Sequence, residues 1–492
     1  MLLLLLVAPI YPLLAQKEAT HWYFGEKAGW SFATGSPQPV TGSAISTGYT
    51  TATISDGQTG ELQFYSNGTQ VWNRRHQVMP HGEGLLSFRN LSQGALILPV
   101  PGQEQQYYLF TLGLASSPAK QETNLFYSRV DMRLANGLGD VVEAEKKREL
   151  PGAFTQQLTA VRHANGRDYW VVVHKWPGAT FHVFLVDPAG VRLTRQITIG
   201  PSLRSADFIL ATEGFLRASP DGRHLAYATA SREVPLSLFD FDPATGNISH
   251  YISLGQLLGG GSISFSPDNT KLYAQDYRVF NQARGERNVI VQFDLSAGDD
   301  AAIAASAQSV VAGNPATNIS AQAQASVGLY SLQLGPDGRL YAASEYEDAT
   351  TSTTLDHVYV IPFPNRRGYA CGIRYEAVDF RPGSLGPGFP NFLQHYFNGL
   401  EAQPDASVPC AQAEVRLFPN PSTGTFRVQV AGGCMARYRL SVYDMLGRRI
   451  LVRTESETSP ENLENIVALA AGIYWVEVGI GSATSRHRLV KY

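Results

Sequence analysis

The stretches RASPDGRHLAYATA (217–230), SFSPDNTKLYAQD (264–276) and QLGPDGRLYAAS (333–344) write one pattern three times: an alternating apolar run, a Pro–Asp–Gly or Pro–Asp–Asn turn, then a second run ending in Tyr and small residues. Pro presets φ for a tight turn, Asp hydrogen-bonds its own backbone, and Gly222 or Gly338 accepts positive φ, so each copy reads as a β-hairpin. Looser copies lie upstream at 51–68, 95–112 and 158–175, with turns at Asp56–Gly57, Pro101–Gly102 and Asn165–Gly166. Further strand pairs, such as LSLFDFDPATGNISHYI (236–252) and NVIVQFDLSAG (288–298), follow most hairpins and make the unit a four-stranded meander.

Six such units, at intervals of roughly 45 to 70 residues and without helical periodicity between them, are the arithmetic of a β-propeller. A pair of β-sandwich domains would not repeat a hairpin with one turn chemistry six times. The ring needs a seventh place. GFPNFLQHYF has the alternation of an innermost strand with no partner after it, and HWYFGEKAGWSFATG is a hairpin with nothing before it. Phe389 to Phe397 is therefore expected as the inner strand of a seventh blade whose outer strands are Trp22 to Phe24 and Trp30 to Phe32, which removes both exposed edges.

The first residues, MLLLLLVAPIYPLLAQ, are too short to span a bilayer, and a small residue before a polar one suits signal peptidase. A secretory signal over 1–15, cut between Ala15 and Gln16, is expected. No Lys or Arg precedes the Leu run, so either the α-amino group supplies the charge or the start lies upstream of Met1. A buried N-terminal strand or helix is the competing reading, but five consecutive Leu lack any turn punctuation. No later segment reaches the about 18 apolar residues of a transmembrane helix. A formal charge of −3 without a Lys/Arg stripe gives no reason to expect nucleic acid.

At about residue 402 the composition changes. EAQPDASVPCAQA reads as a linker (401–412), and 413–492 alternates in and out over six short strands, as a small Ig-like β-sandwich does. Pro419, Asn420, Pro421 and Gly424 form a PNP-x-x-G turn; Tyr443, Asp444, Gly447 and Arg448 a YD-x-x-GR hairpin; Gly472 and Tyr474 a strand entry; Lys491 a terminal basic position. In that order this stretch resembles the type A C-terminal sorting domain of the type IX secretion system of Bacteroidota. The resemblance implies recognition by the outer-membrane translocon, removal by its sorting peptidase, and a passenger on the cell surface or released. The same residues also have a plain structural use, as a tight turn and a hairpin. The segment 20–400 resembles secreted WD40-like or TolB-like propellers of the same bacteria, a likeness that implies architecture and habitat but no activity.

Three cysteines cannot build a disulfide scaffold. Cys410 and Cys434 stand at neighbouring ends of an antiparallel hairpin, so a bridge is geometrically open to them, as is the free form; Cys371 is left over, expected buried in the last blade.

The sequence holds no H-E-x-x-H, G-x-S-x-G, G-x-x-x-x-G-K or C-x-x-C, so no catalytic residues, metal site or cofactor are expected. Asp240 and Asp242 suggest calcium, but Ala244 and Tyr251 occupy the fifth and twelfth places of an EF-hand loop. A turn over Pro243 to Gly246 is the better reading. His163, His174 and His182 lie on adjacent strands near Trp170 and Trp176, where half-buried strand histidines are favoured over metal ligands. The Asn67, Asn90, Asn247 and Asn318 sequons read as turn residues, and the Ala/Ser/Gln-rich stretch 301–326 as a loop between the fifth and sixth blades. The innermost strands TATIS, ALILP, LTAVR, FLRAS, SISFS, SLQLG and NFLQH carry almost no carboxylates. That favours a non-enzymatic surface module for a glycan or protein ligand over a propeller hydrolase or lyase with a central-channel active site.

Overall fold

The three recurring turns close in one way. In the first, Gly222 N–H donates to Ser219 C=O, Asp221 accepts from the Arg223 amide at 3.0 Å, and Gly222 takes φ 73°. Asn269 and Gly338 hold the same place in the others, at φ 65° and 77°. Only Gly, or Asn at small cost, adopts this conformation freely, which is why the motif varies between PDG and PDN.

The computed structural model describes residues 16–492 except 115–122, 205–211, 232, 258–260, 277–288, 311–326, 348–353, 402–414, 431–436, 458–463 and 481–482. Antiparallel meanders follow one another along the chain. Three of these meanders have four strands: Gly214–Ala218, His224–Thr229, Ser237–Asp242, Asn247–Ser253; then Ile263–Phe265, Lys271–Asp276, Val289–Asp294, Gln308–Ser309; then Val327–Leu334, Leu340–Glu347, Thr354–Ile361, Arg374–Ala377. The inner strands pack side by side in chain order: Ala52–Ser55, Ala95–Pro99, Arg148–Arg162, Gly214–Ala218, Ile263–Phe265 and Val327–Leu334. This is a propeller. Its blades bury both faces against one another, and the largest apolar cluster runs from Ala19 to Phe397.

Two units depart from the expected four strands. Ala52–Ser55, Leu62–Ser66 and Val71–Asn73 form a three-stranded sheet, because the chain folds straight back and a lone bridge between Trp72 and Val78 stands where a fourth strand would be. The 15-residue strand Arg148–Arg162 serves two units at once. Its first part pairs with Thr123–Asp131 and its last with Tyr169–Lys175, fusing two meanders into one eight-stranded sheet. Pro151 and Gly152, the latter at φ 145°, sit where it changes partner.

Closure brings the two expected segments together, but not as a ladder. His21–Phe24 and Ala28–Ser31 form the hairpin, with Gln38–Pro39 as a third strand. Phe389 to Phe397 is not a strand: it runs irregularly into a 3-10 turn, Gln394–Phe397. Pro387 and Pro390 lack the N–H a ladder needs, and Gly388 lies so close to the Tyr49 backbone that a Cβ there would fall 2.5 Å from it. Single bonds join the ends instead: Glu26 and Ser384 exchange amide bonds at 3.0 and 2.8 Å, Asn391 N–H reaches Thr51 C=O, and Ser331 N–H reaches Pro387 C=O. The Trp22 ring lies 5.4 and 5.7 Å from those of Phe389 and Phe392.

The stretch expected to be a loop from 301 begins as a helix, Asp300–Ala305, because Asp299 caps it by accepting from the Ala302 amide. It lies within one meander, between Val289–Asp294 and Gln308–Ser309, and its continuation 311–326 is outside the described residues. Beyond residue 414, Val415–Phe418, Thr425–Val430 and Glu464–Asn465 form one sheet. Arg449–Glu457, Arg437–Tyr443, Gly472–Ile480 and Ala483–Lys491 form the other, and Leu417, Phe426, Leu440, Val476 and Leu489 are among the residues of the shared core.

Candidate functional site

The axis of the ring is filled. Arg217, on the inner strand Gly214–Ala218, is 2 % exposed and reaches across the centre. Its Nη1 donates to Gln333 Oε1 at 3.0 Å and to Asn391 Oδ1 at 3.3 Å, its Nη2 to the Leu332 carbonyl, and its Nε to the Ile263 carbonyl. Gln93 accepts from the Leu216 and Leu158 amides and donates to the Leu216 carbonyl. Asn391 donates to the Ala95 and Leu158 carbonyls. These four side chains, with the Asn391–Thr51 amide bond, tie every inner strand to the closing segment. All partners of Arg217 are neutral, so burial alone acts on it and brings its pKa down to about 10. A guanidinium satisfied by amides and carbonyls cements a ring; it does not present a reacting group.

At the mouth where the inner strands end, a second set gathers that the sequence reading did not single out. Glu18 comes from the segment before the first strand and is anchored where Ser55 N–H donates to its carbonyl. Arg162 ends an inner strand, Tyr107 and Tyr169 stand on second strands, and His395 and Tyr396 lie in the closing 3-10 turn. Glu18 falls within electrostatic reach of Arg162, Tyr107, Tyr169 and Tyr396, and Tyr169 and Tyr396 within reach of Arg162. Burial, helped by Asp56, raises the Glu18 carboxyl, against its own backbone and Arg162. Burial pushes Tyr169 up to about 12 and raises Tyr107 and Tyr396, while burial and Arg162 bring His395 down to about 3. At neutral pH the imidazole and the three phenols are neutral; Tyr169 and Tyr396 are buried, so what the mouth shows to solvent is half-buried Glu18 and Tyr107 beside the exposed Arg162 guanidinium. The pair His395–Tyr396 lies inside NFLQHYF, where alternation hid it; Glu18 lies in a stretch with no pattern.

The three strand histidines do not meet. His182 pairs with Val173 and His174 with Phe181, so their side chains leave opposite faces of the sheet. His174 stacks on Tyr227 at 4.8 Å, His182 lies edge-on to Phe154, and His163 stacks on Trp170 at 5.0 Å. Asp242 caps its own turn, accepting from the Ala244 amide and the Thr245 hydroxyl. Asn67 is a buried turn residue accepting from Thr69 and Gln70, and Asn247 opens a strand rather than a turn. Cys371 is buried and free. Ala15, Cys410, Cys434 and Asn318 lie outside the described residues, and Gln16 is the first within them.

In the C-terminal sandwich the motif residues collect at one end. Asn420 donates to the Arg488 carbonyl at 2.6 Å and accepts from the Val490 amide at 2.9 Å, so the Pro419–Pro421 turn clasps the last strand. Lys491 Nζ caps the Val467 and Leu469 carbonyls, and Gly424, at φ 136°, packs where a Cβ would meet Val467 at 2.8 Å. Asp444 closes the hairpin by accepting from the Leu446 and Arg448 amides and from Arg448 Nε, with Gly447 at φ 78°. Tyr443 pairs with Trp475 and Gly472 with Lys491, and Tyr474 donates its hydroxyl to the Ala470 carbonyl, which brings the hairpin to the same end.

Residues 416–492 match the secretion system C-terminal sorting domain. The chain thus carries the address of the type IX system and is exported to the cell surface or the extracellular space. No helix among the described residues is long and apolar enough to cross a membrane. No curated protein matches the sequence. Among solved structures, the chain is similar to PorZ, a surface component of the type IX secretion system of Porphyromonas gingivalis, at 11% identity over 96% of this chain and 69% of that one, with a TM-score of 0.28. It is similar to the periplasmic gluconolactonase of Pseudomonas aeruginosa at 14% identity, 81% and 94% coverage and 0.34. A quinoprotein alcohol dehydrogenase-like protein of Bacteroides thetaiotaomicron gives 10%, 74% and 77%, and 0.37. Scores this low carry no argument about activity.

Proposed function

We propose that the ring is a non-enzymatic binding module delivered to the cell surface by its sorting domain. The reading divides the chain into a signal over 1–15 cleaved after Ala15, a seven-bladed propeller over 20–400, a linker over 401–412 and the sorting domain over 413–492. After translocation the sorting peptidase removes that last unit. One observation carries the reading: Gln93, Arg217, Gln333 and Asn391 fill the axis where a channel enzyme would converge its acids and bases. The ligand side is the mouth, where half-buried Tyr107 and exposed Arg162 offer stacking and hydrogen bonding to a surface glycan. The raised Glu18 carboxyl beside Arg162 favours one rival, a hydrolase or lyase working at that mouth. A glycan array on the purified passenger, with Tyr107→Ala and Arg162→Ala beside the wild type, tests both. Retained glycan that both variants lose supports the module; turnover of a lactone or glycoside that Glu18→Gln abolishes supports the enzyme.

A further inference from the structure

The outer strand Asn247–Ser253 slips its register against Ser237–Asp242 between Leu238 and Asp240. The slip leaves His250 in the left-handed region, at φ 50°, uncommon for a residue with a Cβ. It also points the ring between two carboxylates. His250 Nδ1 lies 3.1 Å from Asp240 Oδ2 on its own sheet, and Nε2 lies 2.9 Å from Asp300 Oδ2. Asp300 opens the helix Asp300–Ala305, which belongs to the neighbouring sheet. The other oxygen of Asp240 faces His224 Nδ1 at 3.2 Å.

A neutral imidazole has one N–H, so only the imidazolium can donate to both carboxylates at once. We propose that His250 is a proton-held clasp joining the outer rims of two neighbouring blades, and that it opens as pH rises. Asp240 and His224 also line a surface groove of about 540 Å³ together with Arg223, Phe241, Asp242 and Pro243, so opening the clasp changes the charge that groove presents.

The surroundings favour the charged ring. Asp300 first and then Asp240 hold the His250 imidazole above its ordinary range, against slight desolvation. On the helix, Asp299 is committed to the Ala302 amide. From the strand Gly190–Leu203, which packs on the same outer strand, Arg195 donates to the Thr245 carbonyl. Because the folded pKa is raised, the clasp is complete below the ordinary imidazole pKa and is lost as pH rises through the raised one.

Histidine-ring NMR of the chain, recorded from pH 5 to 9 beside hydrogen exchange of residues 300–305, tests this. His250 is expected to titrate above an ordinary imidazole, Asp300→Asn to bring that midpoint down, and the helix amides to lose several-fold in protection, taken against the base-catalysed intrinsic rate at each pH, once it is passed. His250→Asn, which tolerates the left-handed backbone, should show the low protection at every pH. A His250 midpoint at or below the ordinary value overturns the clasp, as does helix protection that does not follow the His250 titration.

Discussion

Arg217 and Gln333, 116 residues apart in the chain, meet at the centre of the ring, with Nη1 of the arginine 3.0 Å from Oε1 of the glutamine. The bond matters because Arg217 also holds Asn391 and two inner-strand carbonyls, so its loss takes a donor from four buried acceptors at once, of which Asn391 Oδ1 keeps only Gln93 at 3.4 Å. Arg217→Met keeps the volume and removes the donors; it should cost about 3 kcal/mol. Denaturant unfolding with an unchanged m-value checks it. A cost under about 0.5 kcal/mol, the usual size for an indifferent surface change, would mean the hub does not hold the ring.

Trp22, 0 % exposed, packs on Phe389, Phe392 and Tyr341 across the closure. Trp22→Ala should cost about 3–5 kcal/mol by cavity formation. Since closure rests on this contact and a few single bonds, hydrogen exchange should speed up first in 384–397 and 327–334. Deleting 20–34 should unravel the whole ring; a deletion variant that melts like the wild type would show that the ring closes elsewhere.

The repeated turns were legible because their chemistry is local: Asp221 and Gly222 do in the structure what their types dictate within four residues. Closure was legible as a need, since two half-patterns stood at opposite ends, but not as a geometry. Alternation in GFPNFLQHYF promised a strand, and Pro387 and Pro390 overrode it by removing donors. The hub was invisible for a different reason. Arg217 in FLRAS and Gln333 in SLQLG each look like one polar residue in an apolar strand, and only the ring places them face to face. Glu18 gave no signal at all, because its role depends on where the chain before the first strand is laid.

Two histidines, buried His174 and half-buried His395, set an acid limit. Burial brings His174 down to about 3, and burial with Arg162 does the same for His395. Both pKa values lie below the unfolded one, so the unfolded chain binds more protons between about pH 6.5 and 3, and stability falls as pH falls through that window. The slope should approach about 1.4 kcal/mol per pH unit for each histidine. His174→Phe should flatten it by one proton, measured as urea midpoints from pH 7 to 4. An unchanged slope would place the acid sensitivity elsewhere.

The last prediction separates address from passenger. Asn420 and Lys491 spend their polar atoms inside the sorting domain, on the Arg488 carbonyl, the Val490 amide and the carbonyls of Val467 and Leu469. Asn420→Ala therefore removes the clasp between the Pro419–Pro421 turn and the last strand, at a cost of about 1–2 kcal/mol for two exposed bonds. Among the described residues, the apolar core of this domain shares no member with those of the propeller. Removing 413–492 should thus leave a folded ring with its own melting transition, retained in the periplasm, whereas Asn420→Ala should lower export in proportion to the destabilised fraction. Fractionation of cells producing each form, read by protease accessibility at the surface, decides between them. A truncated chain that still reached the surface would mean that something other than residues 416–492 carries the address.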